Sequence, residues 1–183
     1  LDDVSFKGQI GYAVGNRGTI IKSTDGGRTW TSIGGSSFST AIDFTGVSVS
    51  SDNSIYIISR EYPNNKGYLH RSTNGGTSWT LLKTFNQYVY SIGTLDNNVF
   101  VVGDYGYIFW MKGTTSITIQ QANGTANQLR GIHTFPYRQN NSTEIVSNVV
   151  GANGVFLRVI ANEVTGSSSV NYAQNTGVMS GLN

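Results

Sequence analysis

An eight-residue run that occurs twice, 49 positions apart, limits the fold more than any other feature of the sequence. Ser23-Thr-Asp-Gly-Gly-Arg-Thr-Trp30 returns as Ser72-Thr-Asn-Gly-Gly-Thr-Ser-Trp79. A second series, Val-Gly-x-x-Gly followed by an apolar run, stands at 14–18, 102–106 and 150–154. A third, apolar-x-x-apolar, stands at 1–4, 44–47, 89–92 and 129–132, its last residues 43, 45 and 40 positions apart. Three series on one spacing define a structural repeat of about 40–50 residues. They divide the chain into units 1–37, 38–86, 87–128 and 129–181.

Within the first unit, 3–6, 10–14, 19–23 and 29–33 read as short strands separated by Gly-, Asn- and Ser-rich turns. Four strands in one such unit is the size of a β-propeller blade. The two glycines of Val-Gly-x-x-Gly suit a tight hairpin, since Gly accepts positive φ without a Cβ clash. The second unit replaces that turn with an insertion, Arg60-Glu-Tyr-Pro-Asn-Asn-Lys-Gly67, read as a long loop. The third and fourth units replace the octad with 111–117 and 161–169. The expected fold is therefore all-β, a β-propeller of four-stranded antiparallel blades, about four of them in this chain. The run 178–183 resembles the lead-in 125–129 of the fourth unit, and Leu1 already belongs to an inner strand. The expectation is a segment of a larger ring, or one completed by another chain, because an open blade exposes apolar faces and strand edges.

Composition narrows the function classes. Charged residues are 12% of the chain and the net charge is +2, which provides no clustered basic footprint for nucleic acid. No apolar run approaches the length that spans a bilayer. The absence of cysteine excludes disulfides and thiolate metal sites, and it fits an extracytoplasmic chain: secreted, periplasmic or lumenal, cell-surface or virion. His70 and His133 lie in different units without a nearby ligand cluster, so neither a metal nor another cofactor is expected.

The two octads resemble the Asp-box, or BNR repeat. The longer run from Gly11 to Trp30 is similar to Ycf48-type photosystem II assembly proteins and their bacterial relatives, which are Asp-box propellers. The match is specific over 1–33, good over 44–82 and only periodic beyond. The resemblance implies that Ser23, Asp25, Gly27, Trp30, Ser72, Asn74, Gly76 and Trp79 build peripheral turns away from ligand sites. The turn chemistry agrees. A short acceptor such as Asp25 or Asn74 can bond backbone N–H groups of its own turn, the glycines permit the reversal, and each Trp would bury its ring between neighbouring sheets.

Asp-box propellers include sialidases and other glycosidases, but this sequence lacks a convergent catalytic set. The Phe/Tyr-Arg-Ile-Pro motif is missing, and Phe135-Pro-Tyr-Arg138 has a different order. Asp2 and Asp3 could line a central channel, yet nothing pairs them with the second carboxylate that glycoside hydrolysis needs. Asp104 sits in a hairpin turn that favours Asp on conformational grounds alone. The candidate binding surface is instead Arg17, Arg60, Tyr62 and Tyr105. Arg60 and Tyr62 lie on the insertion, while Arg17, Tyr105 and Asn153 hold matching turn positions and would cluster on one rim. A scaffold or recognition module is the leading expectation, with a protein partner or glycan at the rim and self-association completing the ring. A carbohydrate-active enzyme fragment and a lectin-like glycan binder remain as alternatives. The sequons at Asn123, Asn140 and Asn141 are what chance provides in a chain this rich in Asn.

Overall fold

A computed structural model of the chain describes residues 1–33, 38–113, 115–119, 127–139, 142–162 and 168–172. The sequon residues Asn123, Asn140 and Asn141 and the run 178–183 lie outside them. Sixteen strands form four four-stranded sheets, each antiparallel and in chain order. The first holds β1 (Asp3–Lys7), β2 (Ile10–Gly15), β3 (Thr19–Ser23) and β4 (Thr31–Ser32). The second holds β5 (Ile42–Val49), β6 (Ile55–Glu61), β7 (Lys66–Ser72) and β8 (Thr80–Phe85). The third holds β9 (Val89–Leu95), β10 (Asn98–Gly103), β11 (Ile108–Lys112) and β12 (Thr115–Ile119). The fourth holds β13 (Leu129–Gln139), β14 (Ser142–Gly151), β15 (Phe156–Asn162) and β16 (Ser168–Tyr172). No helix among the described residues is long and apolar enough to cross a membrane.

The sheets stand side by side as blades. Inner strand β1 packs on β5, β5 on β9 and β9 on β13, whereas among the described residues β13 makes no comparable contact with β1. The four blades therefore form an open arc. Alternation along each strand sends every second side chain to a neighbour, so three cores fill the three blade interfaces. Tyr12, Val14 and Ile20 meet Phe44, Val47, Ile55 and Ile57. Tyr56, Ile58 and Leu69 meet Val99, Val101 and Phe109. Phe100, Val102 and Trp110 meet Ile145, Val149, Leu157 and Val159.

Each octad folds as a closed side-chain circuit. The Ser23 hydroxyl donates to Asp25 Oδ1 at 2.8 Å and accepts the Gly27 N–H at 2.8 Å, while Asp25 accepts the Thr29 N–H and hydroxyl at 2.9 and 2.6 Å. The second copy repeats this with Ser72, Asn74, Gly76 and Ser78. Gly27 and Gly76 turn the chain at φ near +90°. The two tryptophans differ from the expectation that both lie between sheets. Trp79 does pack beside Phe38 at the first interface. Trp30 packs edge-on against Phe6 of its own blade, on the face turned away from the second blade.

Two further expectations are corrected. The insertion is not a long loop but an extension of the β6–β7 hairpin, which pairs as far as Glu61 opposite Lys66 and closes through the exposed turn 62–65. The outer strand of the first blade is only Thr31–Ser32 rather than 29–33, because the octad circuit holds the chain through Thr29.

Candidate functional site

The β2–β3, β6–β7, β10–β11 and β14–β15 turns, with the starts of the inner strands, form one rim of the arc. In three of these turns the middle residue adopts the left-handed conformation: Arg17 at φ +58°, Tyr105 at +57° and Asn153 at +57°. The same backbone geometry thus presents three different side chains from equivalent places. Arg17 is exposed, and its N–H donates to Asp43 Oδ1 at 3.1 Å. Asp43 lies opposite Arg60 in the β5–β6 ladder, which ties the Arg17 turn to the strand that carries Arg60. Tyr105 is 57% exposed, and Asn153 donates to Asn127 at 2.9 Å.

Arg60 and Tyr62 belong to a larger cluster. The Arg60 guanidinium lies 5.3 Å from the Tyr62 ring centroid, and Tyr62 lies 4.9 Å from Tyr88 of the third blade. Arg60 Nε is buried without a hydrogen-bond partner. Beside it, the Tyr90 hydroxyl donates to Asp104 at 2.9 Å and accepts from Gln128, just before β13 of the fourth blade, at 3.1 Å. Arg130 bonds Gln128 at 3.2 Å and lies 6.0 Å from the Tyr90 ring. Burial first, then the bond to Asp104, push the Tyr90 phenol up to about 12, so it remains a donor at neutral pH. Asp104 is buried against Tyr90, a role beyond the turn conformation its sequence position suggests.

Sequence reasoning missed Tyr88, Tyr90, Gln128 and Arg130. A readable signal existed for two of them. Tyr90 and Arg130 fill the first variable place of the apolar-x-x-apolar series, and in the ladder each is the extra, unpaired residue of a β-bulge. Thr45 does the same in the second blade, where its hydroxyl donates to the Val89 carbonyl at 2.8 Å. A bulge bends the strand and re-aims the extra side chain, which here delivers Tyr90 and Arg130 to the rim.

Between the inner strands lies a second concavity of about 340 Å³, lined by Asp3, Ser5, Ser48, Ser91, Thr94, Thr134 and His133 among others. Asp3 accepts the Val47 N–H at 2.9 Å, and Ser48 bonds Thr94 at 2.8 Å. Burial raises the Asp3 carboxyl more than its backbone bonds lower it. Among the described residues, Asp3 is the one carboxylate lining this groove, and Asp2 lines a neighbouring pocket that Asp3 also borders. No group of three metal-ligating side chains occurs among the described residues.

Known proteins place the fold. No protein-family model matches the chain, and no curated protein sequence matches it. Solved structures do. YCF48 bound to a D1 peptide superposes with a TM-score of 0.61 at 21% identity, over 94% of this chain and 55% of that one. In fold, the chain is a β-propeller similar to YCF48. YCF48 from Cyanidioschyzon merolae matches with a TM-score of 0.54 at 16% identity, over 96% of this chain and 57% of that one. The SapL1 lectin in complex with alpha methyl fucoside matches at 0.58 and 11% identity, over 92% and 62%. The chain thus spans 55–62% of the length of these propellers.

Proposed function

We propose that the chain is a non-catalytic recognition module that holds a segment of a partner protein on the rim carrying Arg60, Tyr62, Tyr88, Tyr90 and Arg130. The observation that carries this reading is the Arg60 side chain, stacked on Tyr62 while its buried Nε lacks an acceptor. Arg and Tyr are the residue types that dominate binding energy at protein interfaces. A guanidinium held against an aromatic ring suits a carboxylate or backbone carbonyl of an extended peptide. That a propeller of the same fold, YCF48, is known bound to a D1 peptide supports the reading. Arg17 and Tyr105 would extend the surface along the rim. A glycan is the alternative ligand at this rim, supported by the fold shared with SapL1. Binding of the partner to an Arg60→Ala, Tyr62→Ala double variant is expected to weaken at least about tenfold with unchanged melting. Wild-type binding by that variant would refute the site.

The same proposal treats the two octads as Asp-box turns with a structural role and situates the module outside the cytoplasm. It also takes the arc to be closed by further blades, from a longer polypeptide or from a second copy. The face of the first blade turned away from the second, with Val4 52% and Phe6 43% exposed, supports closure. Fractionation of the native host, with the protein found in the cytosol, would contradict the compartment.

A further inference from the structure

A pocket of about 530 Å³ opens on the outer half of the second blade, on the face turned toward the first, and shares no lining residue with the rim cluster of Arg60, Tyr62, Tyr88, Tyr90 and Arg130. Its walls include Phe38, Ile42, His70, Trp79, Ser39 and Thr77, and no charged side chain is among the described residues that line it. Position 70 breaks the repeat. His70 lies opposite Ile57, as Ile21 lies opposite Ala13, Phe109 opposite Val101 and Leu157 opposite Val149. Three blades therefore carry an apolar side chain at the place where the second carries an imidazole. In the third and fourth blades that side chain, Phe109 or Leu157, closes the interface core. His70 instead stacks edge-on against Phe38 at 5.1 Å, and its Nδ1 is buried without a hydrogen-bond partner. Trp79 is the second departure. Trp30 of the first octad donates its indole N–H to the Gly27 carbonyl at 3.0 Å, whereas Trp79 Nε1 is buried without an acceptor. The bulge in the β7–β8 ladder falls between Leu69 and His70, at the pocket wall.

A buried polar atom with no partner costs stability unless something supplies the bond. Two such atoms, on two rings lining one solvent-open pocket, specify what would fill it. The indole N–H needs an acceptor. Burial holds the imidazole down to about 4, so at neutral pH it is uncharged and can donate or accept at Nδ1. A hydroxyl group serves both atoms, the aromatic walls suit the C–H face of a saturated ring, and the lining offers no charge to balance an ion. From this we infer that the pocket between the first two blades binds a neutral sugar ring, with His70 and Trp79 as its hydrogen-bonding residues. This site shares no side chain with the rim cluster and stands whether or not the rim binds a protein.

The test is a titration of the full chain with methyl glycosides of neutral monosaccharides, followed by NMR of the indole and imidazole nitrogens. At least one sugar is expected to shift the Trp79 indole and His70 ring signals saturably while the Trp30 indole stays fixed. His70→Phe, which installs the residue type of the third blade, is expected to weaken binding by about tenfold or more. If that variant misfolds, His70→Gln, which retains a hydrogen-bonding group, is expected to bind with intermediate affinity. No saturable shift up to about 50 mM of any sugar, a response at Trp30 rather than Trp79, or wild-type affinity in both variants would overturn the inference. The pocket would then hold water alone.

Discussion

Asp25 and Asn74 occupy the same place in two copies of one turn, which isolates what a charge adds. The Thr29 hydroxyl first, then the Thr29 N–H and the Ser23 hydroxyl, hold the Asp25 carboxyl down at about 2. A depressed carboxyl stabilises the fold above its unfolded value, and that contribution is lost as pH falls through the folded one. The first blade should therefore lose stability between about pH 4 and pH 2 in a way that Asp25→Asn does not. Thermal melts across that range provide the check, since the Asn variant still forms the circuit seen at Asn74. His70 has the opposite character, a base whose folded value is lowered by burial. Its unfolded state takes up the proton first, so stability falls as pH drops from about 6.5 to about 4. His70→Phe should remove that slope, worth about 1–2 kcal/mol once solvent screening is allowed for. At the rim, Tyr90→Phe leaves the buried Asp104 without its donor and should cost about 1–3 kcal/mol in chemical denaturation.

The turn elements show why a repeat can be read correctly and explained wrongly. In Val-Gly-x-x-Gly the second glycines, 18, 106 and 154, do take positive φ, between 68° and 72°. The first glycines do not: Gly103 and Gly151 are extended, at φ −160° and −151°. They are needed because the start of an inner strand lies directly on them. A Cβ at Gly103 would stand 2.3 Å from the Tyr88 carbonyl, and one at Gly151 would stand 2.5 Å from that of Gln128. Gly103→Ala should thus cost more than about 2 kcal/mol. Gly113→Ala, at φ +58° with open space around it, should cost only about 1 kcal/mol. Denaturant melts of the two variants compare them directly. Strand order and the octad circuits were legible in the sequence because their partners lie within a few positions of one another. The rim cluster was not, because Tyr90, Asp104 and Gln128 are 14 and 38 residues from their bonding partners. Only bulge geometry brings them to one place. The hairpin formed by the insertion was missed for a related reason, since its strand pairing depends on continuing a ladder rather than on apolar alternation.

For the molecule as a whole, the inner strands form a shared spine, and the surfaces proposed above lie at its ends and between its blades. The first blade turns Val4, Phe6, Ala13, Ile21 and Trp30 away from the arc, and no blade covers them among the described residues. Such an edge should self-associate at concentrations of about tens of micromolar, and Val4→Lys should reduce that association in light scattering. A monodisperse wild-type chain would count against the proposed ring closure. Recognition at the rim is the central claim, and site-specific photo-crosslinking in the native host tests it most directly. A photoreactive residue at Tyr62 stands on the proposed surface, and one at the exposed Asp96 stands on the opposite rim of the neighbouring blade. The expected result is a discrete protein adduct from position 62, lost on Arg60→Ala, with none from position 96. Adducts from position 96 alone, or adducts at 62 that survive Arg60→Ala, would contradict it.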